Sequence, residues 1–532
     1  MKRKVIAVIA AAAMCMTAMT GCGGGNEQKA EESSEKQKQS NGEAADTKQT
    51  GAEASGDNIV VVADTQSPTS LDLAQSWDSW YTTRWGITET LYKLDENLEP
   101  CPFLAESCEM KDDTTWEIVL RDDVTFQNGN QMTAESVKLC WERTAEINAR
   151  FNEVLFIDSM EADGQNLTVT TSKAVPAFLN GLCEPLTGII DVADGNPATA
   201  PVGTGPFKAV SYAEKSKCVV EKYADYWGGE PKADGAVINI IGDTNTLSLA
   251  QQNGESDISV SMPGSALELF ADTSKYNADG VPGSRGQILY FNYSNPLLQE
   301  KAVREAISMA IDKESYASVI NKGASVAATG LYPDFMDFGA DEGYKYDMEA
   351  AAKVLDNAGV VDSDGDGIRE VNGQNISLRF VTYSTKAELP LYANEISSSA
   401  AELGIEIKVE VYESVADQQK TGDFDILMVS MTMCPTGDPQ YFANITLKSG
   451  ASGNYGGYSN AEVDKKIEEL EVEFDPEKRI ELAKEIQKLV IDDAGFIVIG
   501  HNKYYYVMGA NVKGLHTNPS EYYLLDKDVY VE

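Results

Sequence analysis

Apolar and polar positions follow two periods along this chain. In WEIVL (116–120) and NLTVTTS (166–172) every second residue is apolar, the pattern of half-buried strands, and NIVVVAD (58–64) is a short β-rich run. In AVREAISMAIDKESYASVINKG (302–323), Val303, Ile307, Ala310 and Ile311 recur at helical spacing, and Gly323 suits a C-terminal cap. In YSNAEVDKKIEELE, Ser459 and Glu462 have the spacing of a capping box. Asp475 followed by Pro476 reads as an N-cap and first-turn proline, opening a helix with the stripe Leu482, Ile486, Leu489 and Val490. Strand and helix periods are interspersed without an internal repeat, so the fold class expected is mixed α/β.

The N-terminus departs from both periods. Lys2, Arg3 and Lys4 precede the apolar stretch VIAVIAAAAMCMTAM, which ends at Thr20-Gly21-Cys22. Charged, apolar and then small residues make a secretory signal over 1–21, and the apolar part is short for a membrane span. Gly21-Cys22 resembles the lipobox of bacterial lipoproteins, with Met19 where leucine is usual. In that group the chain is cut before the cysteine, whose thiol takes a diacylglyceryl group, so Cys22 is the expected lipidation site and the bilayer a partner through acyl chains. The other reading is a plain cleaved signal. From Cys22 to about 57 the chain is Gly, Glu, Lys, Gln, Ser, Asn and Ala without aromatic residues, a composition that reads as a disordered tether.

Charge narrows the partners. With 84 acidic and 43 basic residues the net charge is -41, which argues against nucleic acid and anionic headgroups. Cys101, Cys108, Cys140, Cys183, Cys218 and Cys434 contain no C-x-x-C pair, which removes zinc-ribbon and thioredoxin readings. Several stand in apolar contexts that suit buried thiols, and Cys101 with Cys108 is the locally plausible disulfide.

Four segments in order resemble the peptide/nickel-binding extracytoplasmic receptors of ABC importers, solute-binding protein family 5. They are LYKLDENLEPCPFLAESCEMKDDTTWEIVLRDDVTFQNGNQMTAESVKLCWER, PVGTGPFKAVSY with EKYADYWGGEPKADGAVINII, ILYFNYSN with AVREAISMAIDKE, and TGDPQYF with NYGGYSNAEVDKKIEE. The resemblance implies a bilobed, type II periplasmic-binding-protein-like α/β fold with an inserted subdomain. Lobe 1 is expected at 58–100, 200–290 and 500–532, the insert at 101–199 and lobe 2 at 291–499. Crossings are expected near Tyr290–Asn295 and Gly500–Tyr505, with closure by hinge motion. The implied protein is a monomer on the outer face of the cytoplasmic membrane. It captures a small peptide or metal chelate, hands it to a permease with its ATPases, and needs no cofactor.

Local chemistry refines this picture. Gly203-Thr204-Gly205-Pro206 lacks the Lys-Ser/Thr of a phosphate loop and reads as a scaffold turn, and Tyr226-Trp227-Gly228-Gly229 as a packed corner. QSWDSWYTTRWG packs Trp77, Trp80, Tyr81, Arg84 and Trp85 into one run, and the corresponding family loop lines the cleft. Trp80 and Tyr81 are therefore expected against ligand or packed between the lobes. Arg150 aligns with an arginine that grips ligand carboxylate in the nickel-chelate receptors, a role suited to a guanidinium fork; a solvated helix end is the other reading. Pro435 stands where peptide receptors often carry an aspartate, Gln440 where the nickel type offers histidine, and Leu186 where that type has a second arginine. Gln440 remains a ligand-contact expectation. Only His501 and His516 occur, so a direct histidine metal site is not expected.

Asp362-Ser363-Asp364-Gly365-Asp366-Gly367 has the start of an EF-hand-like calcium loop, with Gly373 at the twelfth position and Glu370 at the ninth. Asp362, Asp364, Asp366 and Glu370 are the candidate ligands of a structural calcium, against a plain acidic turn. A secreted hydrolase is the alternative class, but no G-x-S-x-G or H-E-x-x-H motif occurs. A peptide-sensing lipoprotein would share the fold.

Overall fold

The computed structural model describes residues 56–278 and 280–532. The signal segment, Cys22 and nearly all of the tether lie outside the described residues.

Two sheets organise two lobes. The β-rich run became the strand Ile59–Asp64, central in a seven-stranded sheet. It pairs in parallel with Gly235–Ile240 and Ile258–Ser259. The second sheet has six strands, in the order Ser325–Ala327, Phe496–Tyr505, Gly280–Phe291, Ile426–Thr432, Ser377–Tyr383, Glu406–Tyr412. Ser377–Tyr383 pairs in parallel with both of its neighbours, which requires a crossover; helix Glu388–Glu402 supplies one. The alternating segments WEIVL and NLTVTTS pair with one another in a separate four-stranded antiparallel sheet, where Trp116 faces Val169. Among the described residues no helix is long and apolar enough to cross a membrane.

The chain passes between the two large sheets twice, once away from the expected place and once beside the expected Gly500–Tyr505. It leaves the seven-stranded sheet at Asn277 and enters the other at Gly280, not near Tyr290–Asn295, because Gly280–Phe291 pairs along its length with Ile426–Thr432 and Phe496–Tyr505. The return lies between Tyr505 and Val507. Gly280 pairs with Tyr505, so the two connections run side by side. Gly283 permits their close approach: a Cβ there would lie 2.0 Å from the Tyr504 ring.

Two helix expectations change. The helix begun at Lys301 stops at Met309, because the Asp312 side chain accepts from the Ser315 N–H and starts a new turn. Gly323, at φ 82°, ends that second piece. The cap at 458–471 is Asn460, not Ser459: its side-chain oxygen accepts from the N–H groups of Glu462 and Val463, while the Ser459 hydroxyl meets Ser449. Asp475 and Pro476 open helix Pro476–Asp492 as expected.

The two scaffold motifs meet at one buried acid. Thr204, Tyr226 and Trp227 all donate to the Glu89 carboxylate. Burial pushes Glu89 up to about 7, against those three bonds. The six expected thiols are free; Cys140, Cys183, Cys218 and Cys434 are buried, and Cys101 and Cys108 are half-buried without a bond between them.

Candidate functional site

In open α/β sheets a ligand crevice forms beyond the carboxyl ends of the parallel strands. Here those ends are Asp64 on one sheet and Tyr383 and Thr432 on the other. Unpartnered polar atoms collect at them: Asp64 Oδ2, Ser430 Oγ and Thr432 Oγ1 are buried without a hydrogen bond among the described residues. A buried polar group left unpaired costs about 1–3 kcal/mol, so such a set calls for a partner.

One wall is centred on Glu184, which is 3 % exposed. Its Oε1 accepts from the Trp80 indole at 3.0 Å and from Arg150 Nη1 at 2.9 Å, and its Oε2 accepts from the Tyr522 hydroxyl at 2.9 Å. Arg150 opens helix Arg150–Leu155 and also covers the Trp77 ring at 3.7 Å. Its fork is thus half engaged by the protein's own carboxylate, which removes the solvated reading. Arg150 Nη2 is buried and unpartnered.

A second cluster joins the lobes. Arg285 Nε donates to Glu521 Oε1 at 2.6 Å, and the Tyr504 hydroxyl reaches the same oxygen at 2.5 Å. Arg84 lies 3.8 Å from Glu521 and 3.7 Å from Asp64. Burial alone would raise Glu521, but Arg285 foremost, then Arg84 and Tyr504, hold its carboxyl at about 2. Lys386 follows strand Ser377–Tyr383; its carbonyl accepts from the Leu389 N–H, while its ammonium has no hydrogen bond or ion pair among the described residues. Burial and then Arg285 push its ammonium below the usual lysine range. Tyr441 lies within electrostatic reach of Glu184, Arg150 and Arg285, and burial pushes its phenol up to about 12.

The other sequence candidates part company. Trp80 and Tyr81 do not form one wall, because adjacent helical residues diverge. Trp80 meets Tyr522 edge-on at 5.0 Å, whereas Tyr81 packs against Trp85 and bonds Gln66. Gln440 is engaged by the protein itself: its Oε1 accepts from Arg479, which also pairs with Asp438 at 2.7 Å. Burying Arg479 demands those acceptors. Glu184, Arg285, Lys386, Tyr441, Glu521 and Tyr522 escaped the sequence reading, since no local spacing links them.

The acidic loop sits apart. Asp362, Asp364 and Glu370 each bring an oxygen within 4.8 Å of the others, and Asp366 is outside that group. Asp366 is instead engaged by the Ile368 N–H and the Asn375 amide. Loop N–H groups of Gly365 and Gly367 satisfy Asp362, and Ser363 satisfies both Glu370 oxygens. The calcium reading therefore keeps three carboxylates and loses Asp366.

Residues 99–454 match the family model "Bacterial extracellular solute-binding proteins, family 5 Middle". The chain is 28% identical over 450 residues to the nickel-binding protein NikA of Staphylococcus aureus, covering 84% of this chain and 89% of NikA. It is 28% identical over 491 residues to a probable D,D-dipeptide-binding periplasmic protein, DdpA, of Escherichia coli, covering 87% and 92%. The structure is similar to a nickel ABC transporter protein from Bacillus halodurans, with a TM-score of 0.77, 29% identity, and 89% and 100% of the two chains covered. It is likewise similar to S. aureus NikA in complex with Ni(L-His)2, with a TM-score of 0.76, 26% identity, and 89% and 100% covered.

Proposed function

The chain belongs to the bacterial extracellular solute-binding proteins of family 5, and on that premise we propose that it is the lipid-anchored receptor of an ABC importer for a small peptide or a nickel-type chelate. Cys22 is its anchor, a membrane permease receives the ligand, and the chain works as a monomer outside the cytoplasmic membrane.

The observation that supports this most is the convergence at the carboxyl ends of both sheets. Among the described residues Arg150 Nη2, Ser430 Oγ and Thr432 Oγ1 are buried without a hydrogen bond, and Asp64 Oδ2 has only the longer ion pair with Arg84. They belong to both lobes, so one ligand bridging them favours the closed arrangement over the open one. The paired connections at 277–280 and 505–507 are where the hinge would turn. Trp77, Trp80, Tyr441 and Tyr522 supply apolar area with polar tips, as small-molecule clefts require. The relatives named for nickel and for a dipeptide favour these two solute classes.

Thermal denaturation of ligand-stripped protein tests the reading, since a ligand that binds only the native state raises the midpoint by mass action. Di- and tripeptides, or nickel(II) with L-histidine, should raise it in a dose-dependent way. A flat response to both classes would count against an import receptor for these solutes.

A further inference from the structure

We propose that the turn of the hairpin formed by strands Tyr92–Leu94 and Pro100–Pro102 is an interlobe latch. Leu98 seats in the six-stranded lobe against Gly437, Asn180 ties the same loop at Thr436, and together they favour closure before any ligand binds. The latch uses the hinge of the receptor reading and rests on it, but its first readout needs no ligand.

The turn itself is built locally. The Asp95 carboxylate accepts from the N–H groups of Asn97 and Glu99 at 2.8 and 2.9 Å, and the Asp95 backbone bonds Leu98 and Glu99. Leu98 has φ 62°. Glycine or asparagine takes that left-handed backbone readily, and leucine takes it only at a cost. Its neighbours Glu96, Asn97 and Glu99 are exposed, yet Leu98 is 1 % exposed. A backbone of this kind persists where the surroundings dictate it, so the side chain that needs the position is the buried one.

Those surroundings come from the other lobe. The loop after strand Ile426–Thr432 brings Gly437 to Leu98: a Cβ there would lie 2.0 Å from the Leu98 carbonyl oxygen and 3.3 Å from its Cβ. Gly437 also has φ 77°, so glycine meets both demands. Beside it the Asn180 amide, on helix Phe178–Gly181, donates to the Thr436 carbonyl at 2.8 Å. Leu98 shares one buried cluster with Tyr332, Met433 and Phe442 of the six-stranded lobe. On its own side the hairpin is held by the C-terminal segment: the Leu94 N–H donates to the Tyr523 hydroxyl at 2.9 Å, and Asn518 donates to the Asp95 carbonyl. Charge does not close this seam. Burial first, then Asp95, Asp337 and Asp438, push the Glu99 carboxyl up, and the last two act from the six-stranded lobe. Apolar burial of Leu98 and the Asn180 bond therefore hold it. The seam lies outside the connections at 277–280 and 505–507, so a hinge turning there separates it.

The test is small-angle scattering of ligand-stripped wild type, Leu98→Asn, Gly437→Ala and Asn180→Ala. Asparagine suits the left-handed turn and removes only the apolar seat, so a purely local role for Leu98 would leave Leu98→Asn unchanged. Wild type should scatter as the closed structure. Leu98→Asn and Gly437→Ala should show a larger radius of gyration, and Asn180→Ala a smaller increase. Nickel(II) with L-histidine, or a dipeptide library, should return Leu98→Asn to the wild-type radius, because a ligand that binds the closed form shifts the population back. Identical scattering of ligand-stripped wild type and Leu98→Asn, or a wild type already open, would overturn the latch and leave the receptor reading standing. Enlarged variants that neither probe compacts would uphold the latch and count against the receptor reading. Circular dichroism equal to wild type confirms that the variants are folded. Where a turn or loop variant unfolds, Asn180→Ala, which loses one hydrogen bond, carries the comparison, and an unchanged radius there overturns the latch.

Discussion

Arg285 and Glu521 meet across 2.6 Å, tying the six-stranded sheet to the C-terminal segment that packs with the other lobe. Arg84 and Tyr504 share the same carboxylate, so Glu521 offsets two guanidinium charges in a buried place. Removing one partner of such a set leaves an uncompensated buried charge, at a cost of about 3–5 kcal/mol. Glu521→Gln should lower denaturant stability by that order at pH 7. The pH dependence has a definite sign. Glu521 is held at about 2 in the native state against an ordinary 4.5, so its contribution is complete above 4.5 and is lost as pH falls toward 2. Denaturation from pH 7 to pH 3 should therefore show a shallower decline in Glu521→Gln than in wild type.

His501 should contribute a second acid-sensitive component. Both ring nitrogens are buried and unpartnered among the described residues, and burial, with Lys313 nearby, pushes the imidazole down to about 3. The unfolded chain takes up this proton near 6.5 and the native state does not. Stability therefore falls as pH drops from about 6.5 toward 3. His501→Phe should flatten the profile in that window, and an unchanged slope would assign the acid sensitivity elsewhere.

Arg150 has a structural role, and its unpartnered Nη2 is proposed to face the ligand. Its Nη1 bond to Glu184 predicts that Arg150→Ala lowers stability by about 1–3 kcal/mol, along with ligand affinity. The unpartnered Nη2 predicts that Arg150→Lys loses affinity by a larger factor than its stability loss explains. Paired melting and calorimetric titration separate the two. A wild-type affinity in Arg150→Lys would confine Arg150 to packing against Trp77 and Glu184.

How far the sequence reached can be traced residue by residue. Helix Pro476–Asp492 and the strands at 115–120 and 166–171 were legible because their periods are local and uninterrupted. The crossing at 277–280 was not, because the strand there opens as GVPGSRGQ, a composition that reads as loop. The helix after Lys301 was over-extended because one side chain, Asp312, restarts it. In the cleft, aromatic density exposed Trp80 and Arg84. Glu184 and Tyr522 come from separate segments, and topology alone brings them together.

The acidic loop gives a discriminating prediction. If Asp362, Asp364 and Glu370 hold calcium, millimolar calcium raises the melting temperature, Asp364→Ala abolishes the rise, and Asp366→Ala largely keeps it. Identical curves in calcium and in chelator would make the loop a self-satisfied acidic turn.

The polar groups between the lobes are proposed to hold a small peptide or a nickel-type chelate for import. Native mass spectrometry of freshly purified mature chain measures this most directly, because a closed receptor retains its solute. The spectrum should show the chain with one added small peptide or metal chelate, released on denaturation. A chain that carries nothing, and acquires nothing from peptides or from nickel with L-histidine, would contradict the account.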